Sequence, residues 1–231
     1  MQSKQTTIGA AGILCGGLAL AAASVASRAD DLAGLYLGGN FARTKISYDT
    51  SAYEAQLMTE AGNGLQTLTF TNAALADRSS AWWADVGYMR WAHVGIEASY
   101  LHLGELTYYS SGTLTPPTQG LTATTAVKSR GPALALVLRL PLAESFDVNL
   151  RLGDYYGRTT LANGYALSGT YTVTPQSKST SSLLAGIGAA YTVAGHWSVH
   201  LDYLRVDQAG DSSTVGKYNV SVASAGLSYT F

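Results

Sequence analysis

The sequence predicts an all-β fold: an eight-stranded antiparallel up-and-down transmembrane β-barrel preceded by a cleaved signal peptide. Three observations predict it. Apolar residues alternate with small or polar ones over eight stretches, the period of a strand whose two faces meet different surroundings. The connections alternate between short and long, the asymmetry of outer-membrane barrels. Only 13% of the 231 residues are Asp, Glu, Lys or Arg, about half the share usual in soluble domains.

The first element is an export leader, residues 1–29. Lys4 supplies the positive end, Ile8 to Ala23 form the apolar run, and Ser27-Arg28-Ala29 gives a small-x-small cleavage site before Asp30, with cleavage after Ala26 as a second option. The run is shorter than the ~20 residues a helix needs to cross a bilayer. Cys15 lies within it and follows Leu14 rather than the small residue of a lipoprotein-processing site. Residues 30–231 are then one barrel domain without disulfides, stabilised by burial and backbone pairing.

The strands follow in order: Leu35 to Ile46, Trp82 to Tyr88, Val94 to Tyr100, Leu134 to Leu140, Val148 to Leu152, Ala185 to Tyr191, Val199 to Tyr203, and Ala225 to Phe231. Short connections fall at Trp91 to His93, Pro141 to Ser145 and Val193 to His196. Long Ser/Thr/Gly-rich ones fall at 48–79, 109–128, 161–179 and 208–217. In the stretch PALALVLRLPL, leucines occupy every second position and Arg139 stands on the opposite face. Lipid outside and a polar bore inside accommodate both. Every backbone group in hydrocarbon needs a partner, so the ring must close, with Leu35 to Ile46 paired to Tyr218 to Phe231.

A soluble lipocalin-like barrel or β-sandwich is the alternative, because alternation does not say which face is wet. Against it stand the leader, the loop asymmetry and aromatics near strand ends: Trp82, Tyr88, Tyr100, Tyr156, Tyr191, Trp197, Tyr203 and Phe231. Two details fit poorly. Asp154 has lipid-facing parity, which implies an outer-interface position or a bulge. Val220 and Val222 have the opposite parity from Leu227, which a bulge near Ala223 would reconcile.

Counted up from the short-turn end, Asp85, Glu97, Arg139, Arg151, His200 and Asp202 share the lumen parity. They form one expected polar layer, with Glu97 paired to Arg139 and Arg151 as a further partner. An eight-stranded bore is just wide enough to be filled by side chains, so such a layer plugs it. Other chemistry is sparse. A net charge of −1 offers no field for nucleic acid. His196 and His200 on one strand lie ~13 Å apart at ~3.3 Å per residue, too far for a shared metal. GIGAAY lacks the following helix of a nucleotide-binding turn.

With the strands placed, GYMRWAHVGIEASYLHLGEL (Gly87 to Leu106), LALVLRLPLAESFDVNLRLGDYYGR (Leu134 to Arg158) and the terminal GLSYTF resemble the eight-stranded barrel of OmpA-type outer-membrane proteins and their opacity-type relatives. The resemblance covers most of residues 34–231. It implies a Gram-negative outer membrane, with outer-membrane lipids, lipopolysaccharide and the assembly machinery as partners. Leu227, Tyr229 and Phe231 resemble the C-terminal signal that machinery reads. OmpA continues into a peptidoglycan-binding domain whereas this chain stops at Phe231, so cell-wall tethering is not carried over. Where the family tends to place a second interior glutamate, on the sixth strand, this chain has Ala190.

The function expected is non-enzymatic: envelope integrity, or contact with an extracellular ligand or host surface through long loops, with no cofactor and no metal. One alternative is a narrow pore for small or hydrophobic solutes. The other is a lipid A-modifying enzyme, because HWSVH (His196 to His200) contains a His-x-Ser like that of outer-membrane lipid A deacylases.

Overall fold

The computed structural model describes residues 34–47, 67–115, 118–167, 170–210 and 217–231; the expected leader lies outside them. The strands are β1 (Gly34–Ser47), β2 (Thr67–Ala76), β3 (Arg78–Trp91), β4 (Val94–Thr115), β5 (Gln119–Ala143), β6 (Phe146–Leu167), β7 (Thr170–Ala194), β8 (Trp197–Ala209) and β9 (Tyr218–Thr230). All neighbours pair antiparallel. Hydrogen bonding runs β4-β3-β1-β9-β8-β7-β6-β5 and returns from β5 to β4, so the sheet closes into an eight-membered ring. The closing seam pairs Tyr36 with Thr230 and Ser47 with Asn219, and Phe231 N–H donates to the Leu35 carbonyl at 2.9 Å. Closure leaves no edge in the wall.

The ninth strand arises because one stave is broken. β2 and β3 are consecutive and both pair with β4, but they part at Asp77, whose carbonyl accepts from Ile46 N–H at 2.9 Å. β1 flanks β3 and ends there, while β2 continues upward along β4 alone.

Two of the expected long loops are strand over nearly all their described residues, and so is the described part of the expected 48–79 loop, as β2 and the start of β3. The β4–β5 hairpin stays paired to Leu114 and Gln119, and the β6–β7 hairpin to Leu167 and Thr170. Threonine is β-branched and favours strands, and Leu121, Ala123, Thr125 and Val127 continue the period of two on a buried face. Reading Ser/Thr richness as loop missed that continuation. The connections at 48–66 and 211–216 lie outside the described residues.

The short turns fall where expected, after Trp91, Ala143 and Ala194. β4 carries a bulge between His102 and Glu105. Gly104 takes the left-handed backbone there, at φ 85°, a conformation that costs glycine little, and the inward set shifts from Leu101 and Leu103 to Leu106 and Tyr108. No bulge occurs near Ala223, since β9 keeps one register against β1 throughout. Val220 and Val222 point inward and are fully buried, whereas Leu227 points outward. Asp154 also needs no bulge: it stays in register on the exterior, and Ser181 donates a hydrogen bond to it at 3.2 Å.

The exterior is apolar. Leu134, Leu136, Ile96, Leu152, Leu201 and Phe41 are all exposed on the outer face, a surface suited to lipid tails. Among the described residues no helix is long and apolar enough to cross a membrane. The interior is two-part rather than polar throughout. Toward the short turns it holds charge, and above that Trp83, Leu101, Leu184, Leu204, Val206 and Val222 pack into an apolar core. A hydroxyl cluster interrupts this core: Tyr155 bonds Ser129 at 2.9 Å, and Thr159 bonds Tyr218 at 3.0 Å.

Candidate functional site

The charged side chains of the central layer are aimed inward by strand parity and come from four strands of the ring. β4 supplies Glu97, β6 Arg151, β8 His200 and Asp202, β3 Asp85, and β1 Tyr36 and Asn40. Arg151 lies between two carboxylates. Its Nε donates to Glu97 at 3.0 and 3.2 Å, and its Nη1 to Asp202 Oδ1 at 2.5 Å. The remaining oxygens are also satisfied. Tyr36 Oη donates to Glu97 Oε2 at 2.7 Å, and the His200 ring Nδ1 lies 2.7 Å from Asp202 Oδ2.

This chain spans the bore, and every member is at most 9% exposed. Buried charges are tolerated when paired and hydrogen-bonded, and here both carboxylates have a partner on each oxygen. Inward glycines give the layer its room. A Cβ at Gly87 would strike the Tyr36 ring, and one at Gly188 the Asp202 carboxylate. Asp85 stands beside the chain and accepts from Asn40 Nδ2 at 3.1 Å.

Arg139 stands apart, and the expected Glu97–Arg139 pair is not formed. Its guanidinium carbon lies 5.9 Å from the Tyr36 ring centre, and its Nε is buried without a hydrogen-bond partner among the described residues. The cause is stagger. Glu97 is level with Ala135 on β5, whereas Arg139 sits at the turn, its N–H bonded to the His93 carbonyl. Barrel closure shears neighbouring strands, so equal counts from a turn are not equal heights.

Below the chain a polar cavity of about 350 Å³ opens toward the short-turn end, lined by Arg139, Asn149, Ala190, Ser198, His200 and Thr230 among others. Ala190 puts a methyl group where the resemblance leads one to expect a carboxylate. The His-x-Ser segment does not assemble a nucleophile and base. Ser198 bonds the Thr192 hydroxyl at 3.2 Å, and the His196 ring bonds the Thr230 carbonyl at 2.7 Å. Among the described residues no group of three or more His, Cys, Asp or Glu side chains is placed to hold a metal.

Sequence reasoning missed Tyr36 and Asn40, although both share the lumen parity of Gly38. An inward tyrosine beside an inward acid was the available signal. The C-terminal Leu227 and Phe231 are exposed on the wall, and Tyr229 touches both Trp197 and Phe231 with ring centres 5.0 Å apart.

A family model for the OmpA-like transmembrane domain matches residues 36–231. Outer membrane protein A of Serratia marcescens is 30% identical over 171 residues, covering 74% of this chain and 44% of that protein. The Yersinia pseudotuberculosis protein of the same name is 31% identical over 146 residues, 63% of this chain and 38% of its own length. The chain therefore spans less than half the length of these relatives. Among solved structures, Ail of Yersinia pestis, in complex with the heparin analogue sucrose octasulfate, aligns with TM-score 0.47 at 12% identity over 86% of this chain and 99% of that one. A closed ring with an apolar exterior and a family match along almost its whole described length lead to one conclusion: the chain belongs to the OmpA-like transmembrane domain family, the β-barrels of Gram-negative outer membranes.

Proposed function

We propose that this barrel is a non-enzymatic anchor that contributes to envelope integrity or surface interaction by holding long hairpins above the outer membrane. The observation that carries this reading is the sealed bore. Above the ionic layer, packed side chains such as Trp83, Leu184, Leu204 and Val222 fill the interior, so ions and solutes meet an apolar core. The paired extensions of β4–β5 and β6–β7 give the barrel a rigid outer part with which to meet an extracellular ligand or host surface.

The refolded protein in a planar bilayer is therefore expected to give no conductance steps, and reproducible steps would favour the narrow-pore alternative. Replacing residues 113–120, the tip of the β4–β5 hairpin, by a tight turn is expected to leave folding intact while altering cell adhesion or detergent resistance; unchanged adhesion and resistance would count against display. Against the lipid A enzyme stands the engagement of Ser198 with Thr192 rather than with a histidine. The mass spectrum of lipid A should be the same with Ser198→Ala as without it.

Outer-membrane lipids, lipopolysaccharide and the assembly machinery are the partners this reading requires. Leu227, Tyr229 and Phe231 are proposed as the assembly signal. Phe231→Ala should slow insertion in cells while leaving refolding into synthetic vesicles unchanged, and an equal defect in both would mean a merely structural role. Residues 1–29 are proposed as the leader, so N-terminal sequencing of the protein from outer membranes should begin at Asp30, or at Ser27 for the earlier cleavage.

A further inference from the structure

The outward face of β1 and β3 is free of charge from Leu35 and Tyr88 up to Phe41 and Trp82, which stand opposite each other. Arg43 comes next, and then Lys45 directly opposite Arg78, all three exposed. Like charges facing each other across a strand pair repel. Among the described residues none of the three has an ion-pair partner. The arrangement recurs elsewhere on the ring. Arg130 of β5 stands opposite Arg158 of β6, one outward position beyond Pro132 and Tyr156, again exposed and, among the described residues, without an ion-pair partner.

Depth identifies what could neutralise these pairs. From Leu35 to Lys45 the wall rises about 25 Å at ~3.3 Å per residue and a tilt near 40°, which is about the height of the apolar band of such barrels. The cations therefore lie in the headgroup layer at the long-hairpin end, where the membrane presents its phosphates. A groove lined by Arg43, Lys45, Arg78, Tyr203 and Ser221 also offers hydroxyl donors, and several donors around one anion suit a phosphate oxygen set.

We infer that Arg43, Lys45 and Arg78 form one binding site, and Arg130 with Arg158 a second, for phosphate groups of an outer-leaflet glycolipid. The inference deepens the proposed partnership with lipopolysaccharide by assigning it residues. Each near-surface cation contributes roughly fivefold to attraction for an anionic lipid, so three together contribute on the order of a hundredfold.

The test uses the full chain refolded in zwitterionic detergent, titrated with diphosphorylated lipid A and with the same lipid dephosphorylated, and read by native mass spectrometry. Heat-modifiable gel mobility confirms folding of every sample. Wild type should retain the phosphorylated lipid about a hundredfold better than the dephosphorylated one, with retention falling as salt rises. The variant Arg43→Gln/Lys45→Gln/Arg78→Gln should lose one bound lipid, and Arg130→Gln/Arg158→Gln another. Arg90→Gln, exposed at the opposite end of the wall, should lose none. If the triple variant does not fold, Arg43→Gln alone should weaken retention about fivefold. Equal retention of both lipids, or unchanged retention by the folded variants, overturns the inference while leaving the display reading intact. Complete displacement by equimolar inorganic phosphate overturns it too, since the site would then take free phosphate.

Discussion

Replacing Arg151 by methionine is expected to cost about 3–5 kcal/mol of unfolding free energy, because it leaves the Glu97 and Asp202 carboxylates buried without their shared cation. Both carboxylates it serves belong to side chains no more than 3% exposed. Urea titration of protein refolded into vesicles, read by heat-modifiable gel mobility, measures the loss. Arg139→Met should cost about 1 kcal/mol or less, since its one described side-chain contact is a cation over the Tyr36 ring. Removing all three charges together, as Arg151→Met/Glu97→Leu/Asp202→Leu, should recover most of the loss, because a buried ion network and an apolar filling of similar volume are often comparable in stability. A cost for Arg151→Met no larger than that for Arg139→Met would mean that the chain across the bore is wet or unformed.

The second large effect lies on the other face. Leu136 is exposed at mid-wall, and Leu136→Arg should destabilise the vesicle-inserted barrel by about 2–4 kcal/mol, the depth-dependent cost of a cation at the bilayer midplane. Pro132→Arg, on the same face of the same strand beside Arg130 and Arg158, should cost about 0–1 kcal/mol because it lies near the interface. The ratio of the two isolates depth from any general effect of charge on folding. Similar costs at both positions would place the band of lipid contact elsewhere.

The barrel was legible because strand parity is a local property. Leu134, Leu136 and Leu138 outside with Ala135 and Val137 inside needs no tertiary knowledge, and ring closure follows from backbone pairing in hydrocarbon. The same rule gives Asp154 lipid-facing parity but leaves a bulge open, and the structure keeps it in register on the exterior without one. Heights were not legible. Glu97 was matched to Arg139 by counting from the turns, but shear brings Arg151 to it instead. Nor does parity distinguish a wet interior from a dry one. Val220 and Val222 suggested a bulge only on the assumption that inward means polar, whereas they belong to an apolar core that also takes in Leu184 and Leu204. The hairpin extensions were hidden for a compositional reason, since Thr and Ser serve equally in loops and in strands that leave the membrane.

The most direct test places a single environment-sensitive fluorophore on introduced cysteines in vesicles that contain brominated lipid. The one native cysteine, Cys15, lies in the proposed leader. Strong quenching is predicted at positions 136, 150 and 201, with little at 184, 204 and 222, because the first set touches acyl chains and the second is sealed inside the ring. The opposite pattern, bromine reaching 204 and 222 while sparing 136 and 201, would contradict the account.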